Sequence, residues 1–437
     1  MTDSIALGLP RTPARLVLKM ANRHGLVTGA TGTGKTVTLQ TLAEGFSNAG
    51  VSVFAADIKG DLSGIAAPGK GVAAPAMFWD IFGRDGHPIR TTLETMGPLM
   101  LSRLMSLTAA QEGALNIAFR LARQEGLPLL DLKDLRALLV DFSRRGDTIA
   151  TEYGNVTLPT IGALQRQLVV IEEQGGGHFF GEPALDIRDL MRVDSAGRGF
   201  VNVLAADKLV NAPQLYATFL FWLLTQLFEV LPEVGDAEKP KLVFFFDEAH
   251  LLFAGASKGL LQKIEQTVKL VRSKGVGVYF VTQNPLDVPD SVLDQLGNRV
   301  QHALRAYTAR SQKAVKAAAT TFRANPAFNT AGAITELARG EALVSMLDSK
   351  GVPAMVSRAM IAAPDSRMGP LSEGERRALV EGSPLFGRYE TAIDRESAYE
   401  LLQARAGAGP EESGEPAALS WADRFLAELA GQIARRR

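Results

Sequence analysis

The chain has 437 residues, with 47 lysines and arginines against 47 aspartates and glutamates, so the whole molecule exerts no net pull on nucleic acid and any such contact must come from a local patch. It contains no cysteine, which excludes a disulfide framework and a thiolate metal centre, and its five histidines are scattered without ligand spacing. The amino terminus, MTDSIALGLPRTPAR, lacks the basic start, apolar block and small-residue cleavage site of a secretory signal, so the expected location is cytoplasmic.

Residues 15–20, RLVLKM, alternate well enough to predict an edge strand leading into the next strand, with His24 at a strand end. The apolar run GLVT at 25–28 predicts a short strand, and GATGTGKT at 29–36 follows it directly. This stretch fits G-x-x-x-x-G-K-[ST] through Gly29, Gly34, Lys35 and Thr36, with an extra Gly32, and a helical pattern runs on to Asn48. A phosphate loop needs glycines because its backbone N–H groups turn inward around the anion, where side chains would block the approach. The expected nucleotide-binding residues are therefore Gly29, Ala30, Thr31, Gly32, Thr33, Gly34, Lys35, Thr36 and Val37. In such a loop the lysine, here Lys35, reaches the β- and γ-phosphates and the Thr36 hydroxyl ligates Mg2+, while the helix points the positive end of its dipole at the same phosphates. ATP and Mg2+ are the expected cofactors.

Next, VSVFAAD at 51–57 reads as a buried parallel strand, closing a βαβ unit. Asp57 stands at its carboxyl end, placed to face the nucleotide or to serve its own loop. Residues 68–90 are loop-like around one apolar run, AMFWDIF at 76–82. Residues 93–175 are helical in character, with a helix start at Thr108 to Gln111 and punctuation at Pro128 and Pro159, and their mixed charges suit a solvated helical insertion. Residues 209–228 carry no charge, yet Asn211, Pro213, Gln214, Thr218, Thr225 and Gln226 interrupt them. Their continuous apolar core falls short of the roughly 20 residues needed to span a bilayer, so a buried helix and no membrane partner are expected.

The sheet resumes with GFVNVLA at 199–205, and KLVFFFDEAH at 241–250 delivers two acids at a strand end. Asp247 is expected at the Mg2+ and Glu248 is expected to polarise the attacking water. A third strand, GVYFVTQN at 277–284, ends in amides, and Gln283 suits a sensor between the phosphate loop and Glu248. Residues 295–335 contain no acid but hold Arg299, Arg305, Arg310, Lys313, Lys316 and Arg323. This local asymmetry fits a solvated helical face, a subunit interface or a track for a nucleic-acid backbone. Strands are predicted at 341–347 and 353–356, a charged helix at 372–380, a flexible linker at 404–417 and an amphipathic helix at 421–429.

These elements predict an α/β fold with a mainly parallel central sheet, an α-helical insertion and a C-terminal helical tail. The expected division is residues 1–90 and 196–363 for the ATPase core, 91–195 for the insertion and 364–437 for the C-terminal extension.

Five segments carry a resemblance that spans nearly the whole chain: residues 23–36, DIKGDLSG at 57–64, FDEAH at 246–250, TQNP at 282–285 and SPLFGRY at 383–389. Through them the chain resembles the HerA/FtsK-like branch of P-loop ATPases, and more closely a bacterial HerA-helicase-like family. The resemblance implies a RecA-like core, ATP hydrolysis by Glu248, a Gln283 sensor and assembly into a homo-oligomeric ring, commonly a hexamer, around DNA. It departs from HerA proper, which carries a β-barrel before its ATPase core, because only 28 residues precede Gly29.

Phosphoryl transfer in these folds usually also needs an arginine. Arg23 precedes the first strand of the loop unit, at the far end of the sheet, which leaves Arg305, after the apparent strand 299–304, somewhat ahead of Arg272, on the helix before the sensor strand. In a ring either would be supplied in trans. Two classes of function result: a DNA-stimulated ring motor, favoured by the Glu248 and Gln283 pair with the acid-free basic stretch, and an ATP-dependent switch or scaffold acting on a protein partner without moving along DNA.

Overall fold

Residues 3–154, 156–235, 237–254 and 258–407 are described by the computed structural model. Strands β1 (Ser4–Ala6) and β2 (Arg15–Val17) pair antiparallel in a ribbon of their own. The strand expected through residue 20 stops at Val17, and a 3-10 turn, Leu18–Arg23, buries Leu18, Met20 and Ala21 instead. That turn finds its hydrogen bonds elsewhere: the buried Asn298 amide donates to the Met20 carbonyl, the Tyr279 hydroxyl to that of Ala21 and the Gly297 amide to that of Arg23.

The loop unit follows as β3 (Gly25–Thr28), α1 (Lys35–Asn48) and β4 (Ser52–Asp57), then β5 (Ala76–Asp80) and the short β6 (His87–Pro88). Helices α2 (Leu93–Leu104), α3 (Ala109–Gln124), α4 (Leu132–Arg144), α5 (Gly146–Tyr153) and α6 (Leu158–Ile171) occupy the stretch read as helical, and the single turn α7 (Gly177–Phe179) lies just past it. Side chains start three of them: Thr92 accepts from the Thr95 amide, and capping boxes pair Thr108 with Gln111 and Asp131 with Asp134.

After β7 (Val201–Ala205) come α8 (Pro213–Val230), β8 (Leu242–Phe246), α9 (His250–Phe253), α10 (Lys258–Val271), β9 (Val276–Thr282), α11 (Asp290–Leu293) and β10 (Asn298–His302). The described residues continue with α12 (Ala309–Thr320), α13 (Thr330–Glu336), β11 (Glu341–Ser345), β12 (Ser357–Met360), α14 (Glu373–Glu381) and α15 (Ala398–Gly407). The strand expected at 353–356 begins only at Ser357. Before it, Pro353 makes only an isolated bridge with Leu347 and the Ala354 amide donates to the Met346 carbonyl, following a turn closed on Asp348, which accepts from the Lys350 and Val352 amides. Of the expected linker, residues 404–407 close α15; its remainder and the segment 421–429 lie outside the described residues.

Among the described residues ten strands form one sheet, in the order β12-β11-β10-β3-β9-β8-β4-β7-β5-β6. From β10 to β6 every pairing is parallel, and only β11 and β12 run antiparallel to their neighbours. The parallel strands therefore present all their carboxyl ends along one edge, where ligands of such sheets bind. Alternation splits the core: Val27, Val53, Ala55, Val243, Phe245 and Val281 pack with Leu39, Leu42 and Phe46 of α1 on one face. Leu26, Phe54, Phe244, Phe246 and Phe280 pack with α8 and the helical region on the other. Helix α8 is buried without a break from Leu215 to Leu224, which is why that stretch is almost wholly apolar, and no helix among the described residues is long and apolar enough to cross a membrane.

The SPLFGRY segment packs against the outer part of the sheet, with the Tyr389 ring against Trp79 of β5. The buried Tyr389 hydroxyl donates to Asp189 at 2.6 Å, and Arg90 donates to the Tyr389 carbonyl at 2.7 Å.

Candidate nucleotide site

The loop from Gly29 to Gly34 connects β3 to α1 at the carboxyl edge. Gly29 has φ 153°, and a Cβ there would lie 2.5 Å from the His302 Cβ; Gly34, the residue before α1, has φ 123°. Both positions exclude side chains, one by contact and both by conformation. The loop is held from outside at two points, since the Ala30 amide donates to the Ala303 carbonyl at 2.8 Å and the Gly340 amide donates to the Thr33 carbonyl at 2.9 Å. His302, buried beneath it, shares a 2.8 Å hydrogen bond with the Thr38 hydroxyl and another of 3.0 Å with the Glu341 carbonyl. Burial, against the Glu341 contact, lowers the His302 pKa to about 4, so the ring is neutral, donating to the carbonyl and accepting from Thr38.

Lys35 bends over the loop, its Nζ donating to the carbonyls of Gly29 at 2.7 Å and Ala30 at 3.1 Å. Burial, then the charge of Lys59, pulls its pKa below the ordinary value. The cleft beside it is lined by Thr36, Asp57, Lys59, Asp61 and Asp247.

Strands β4, β8 and β9 end side by side against β3 and carry the polar residues of the cleft. Asp57, buried, accepts from the Leu62 amide at 3.0 Å, which closes the turn after β4; burial and the charges of Asp61 and Asp247 push it up to about 7. Burial and the neighbouring Glu248 raise Asp247 to about 6. Glu248 has φ 47°, a left-handed conformation unusual for a residue with a side chain, and it aims its carboxylate back at the loop. Gln283 joins the two halves of the site: its Oε1 accepts from Thr31 at 3.1 Å and its Nε2 donates to Glu248 Oε1 at 3.2 Å. Lys59 lies 3.1 Å from the same Glu248 oxygen, and His250 Nδ1 is 3.4 Å from the other. Burial alone would raise the Glu248 pKa; the hydrogen bonds from Gln283 and Lys59 outweigh it and hold the carboxyl below its usual range.

Thus Lys35, Thr36, Asp247, Glu248 and Gln283 come together at one cleft. The two arginines do not join them. Arg305 follows β10 at the same edge of the sheet, exposed, with its guanidinium 3.4 Å from the Tyr307 hydroxyl. Arg272 precedes β9, at the opposite edge near His24, so the length of the strand separates it from the loop of its own chain. Of the basic stretch, Arg299 is tied to the Leu293 and Leu296 carbonyls, whereas Arg310, Lys313 and Lys316 line one exposed face of α12. Sequence reasoning missed Lys59 and His302. The signal for Lys59 was its place just past a strand end in the DIKGDLSG segment; nothing in the sequence pairs His302 with the loop before β10 is known to lie beside β3.

A mostly parallel sheet with a phosphate loop and an acidic strand end along its carboxyl edge defines a RecA-like P-loop nucleotide-binding protein. The chain belongs to the helicase HerA-like C-terminal family, whose model matches residues 4–435. Among solved structures it is similar to the bacterial conjugative coupling protein TrwBdeltaN70 in its unbound monoclinic form, with TM-score 0.57 and 15% identity over 85% of this chain and 92% of that one. VirB4 of Thermoanaerobacter pseudethanolicus aligns with TM-score 0.56 and 16% identity over 83% of this chain and 97% of that one. The plasmid coupling protein TrwB in complex with ADP and Mg2+ aligns with TM-score 0.56 and 15% identity, covering 80% and 89% respectively. At such identities the likeness is one of fold. No curated protein sequence matches the chain.

Proposed function

We propose that this protein hydrolyses ATP as a ring-forming, DNA-stimulated P-loop ATPase. The observation that carries the reading is the chain Thr31–Gln283–Glu248, which ties the phosphate loop to a buried carboxylate through one amide. A glutamate so placed can take a proton from water attacking the γ-phosphate, with Gln283 orienting that water. Lys35 balances phosphate charge, and α1 directs its amino terminus at the same oxygens.

The residues present fit Mg2+. Asp247 stands next to Glu248, and burial first, then the charge of Glu248, raises its pKa, a cost that a divalent cation would relieve. Among the described residues no group of three His, Asp or Glu could hold a metal unaided, which suits an ion bound through Thr36, Asp247 and the nucleotide's own phosphates. When bound, Mg2+ supplies neutralisation of the phosphate charge. Relatives in fold are described in complex with ADP and Mg2+ and with a non-hydrolysable ATP analogue, which supports this assignment.

A homo-oligomeric ring, a hexamer as the family resemblance implies, would bring Arg305 or Arg272 to a neighbour's nucleotide. DNA would lie against Arg310, Lys313 and Lys316, which face solvent on a helix without acids. The test is ATP turnover measured with and without single- and double-stranded DNA at low salt. Turnover that DNA accelerates supports the motor; turnover indifferent to DNA leaves a nucleotide switch acting on a protein partner; no turnover overturns the ATPase reading.

A further inference from the structure

The cleft holds two lysines, and the nucleotide motif accounts for one. Lys59 follows β4 in the turn that Asp57 closes on the Leu62 amide, and its ammonium lies 3.1 Å from Glu248 Oε1. Its side chain is 41% exposed where that of Glu248 is 8%, so the lysine covers the carboxylate from the solvent side. It lines the same cleft as Lys35 and Thr36, and its charge is felt at Lys35.

Glu248 is therefore poorly disposed to act as a base. One oxygen meets Lys59 and Gln283, and the other meets Gln283 and His250. An ammonium in contact with a carboxylate stabilises the charged form and weakens it as a proton acceptor. A triphosphate in the loop changes the balance, because its terminal group is a stronger and more accessible anion than a single carboxylate.

We propose that Lys59 is a γ-phosphate ligand: when a nucleoside triphosphate enters, its ammonium passes from Glu248 to the γ-phosphate oxygens, and Glu248 is released to the water. A diphosphate offers no γ-oxygens, so with ADP the Lys59–Glu248 pair persists and the base stays covered. The step balances without further reagents. The water oxygen forms the new bond to γ-phosphorus, its proton goes to Glu248, and the bond to the β-bridging oxygen breaks with its electron pair leaving on ADP. Lys59 thus makes the site discriminate triphosphate from diphosphate. This rests on the ATPase reading above.

The experiment measures binding of a non-hydrolysable ATP analogue and of ADP, each with Mg2+, to the full chain and to its Lys59→Met, Lys59→Gln and Lys59→Arg variants. A charge-assisted contact to phosphate is worth about tenfold in affinity or more. Lys59→Met and Lys59→Gln should weaken the ATP analogue by about that factor, leave ADP within about twofold, and lower turnover by about a hundredfold. Lys59→Arg should restore part of the discrimination. A merely structural lysine would not move the ratio of the two affinities. An unchanged ratio in both neutral variants, with wild-type binding intact, overturns the Lys59 reading alone, and so does turnover faster than wild type at unchanged affinity. Failure of the wild-type chain to bind the ATP analogue overturns the ATPase reading and this one together.

Discussion

The amide of Gly340 donates to the carbonyl of Thr33 across 2.9 Å, so the chain that leaves the phosphate loop beside Ala303 comes back to it one excursion later. Between those points lie α12 and α13, including the exposed Arg310, Lys313 and Lys316. A polyanion seated on α12 would therefore bear on a segment whose two ends both hold the phosphate loop.

DNA binding is accordingly expected to depend on α12. Lys313→Ala with Lys316→Ala should weaken it and reduce the log–log salt slope by about 0.9 for each phosphate that is no longer neutralised. The double substitution should remove stimulation of turnover by DNA while leaving basal turnover unchanged, because neither lysine reaches the cleft. Filter binding and ATPase assays across a salt series check it; binding unchanged in the double variant would exclude α12 as the DNA face.

On the proposed mechanism, Lys35 and Glu248 divide the work between ground state and reaction. Lys35→Ala should abolish nucleotide binding or nearly so, since it removes the cation over the loop. Glu248→Gln should keep binding and lose roughly 10²–10⁴-fold in turnover, the usual worth of a general base. Fluorescent-nucleotide titration and phosphate release separate the two outcomes, and full-rate hydrolysis by Glu248→Gln would rule out its role as base.

Much of this site was legible in the sequence because its signals are local. GATGTGKT needs its glycines wherever it occurs, and strands such as 242–246 and 276–282, buried on both faces, read as unbroken apolar runs. What was illegible depends on partners distant in the chain. RLVLKM has the same alternation whether it pairs on or turns, and the carbonyls of the 3-10 turn find their donors, Asn298 and Tyr279, only on the distant strands β10 and β9. PAMV has strand composition and does meet Met346 and Leu347 through Ala354 and Pro353, but after the tight turn at Asp348 this stays an isolated bridge and the continuous ladder starts at Ser357. Lys59 and His302 carry no periodic signal, and their contacts with Glu248 and Thr38 exist only once β4, β8 and β10 take their places in the sheet.

His302 also predicts a pH dependence of stability. Burial holds its folded pKa at about 4 against an ordinary 6.5, so the unfolded chain takes up the proton first as pH falls. The stabilisation is fully present above 6.5 and is lost progressively between 6.5 and about 4, amounting to something on the order of 3 kcal/mol. His302→Gln retains a donor and an acceptor but no titration. Its melting temperature should fall less steeply than that of the wild type between pH 7 and 5, measured by circular dichroism; equal slopes would show that the ring does not titrate as its burial implies.

The arginine that completes the site is the last prediction. On the same mechanism Lys35 balances ground-state charge, and an arginine reaching the transferring phosphoryl is worth roughly 10³–10⁵-fold in turnover. Arg305 projects from the carboxyl edge that carries the loop, exposed, with its guanidinium beside the Tyr307 hydroxyl. Arg272 stands at the other edge and could serve only another copy's nucleotide. Both arrangements suit supply in trans, and the shared edge favours Arg305. Mixing subunits that carry Arg305→Ala with subunits that carry Glu248→Gln, each nearly inactive alone, tests this directly. At some interfaces a sound Glu248 would meet a neighbour's sound Arg305, so part of the turnover should return. If co-assembly is demonstrated and turnover does not return, Arg305 does not act in trans, and the same mixing with Arg272→Ala decides whether the finger comes from the other edge.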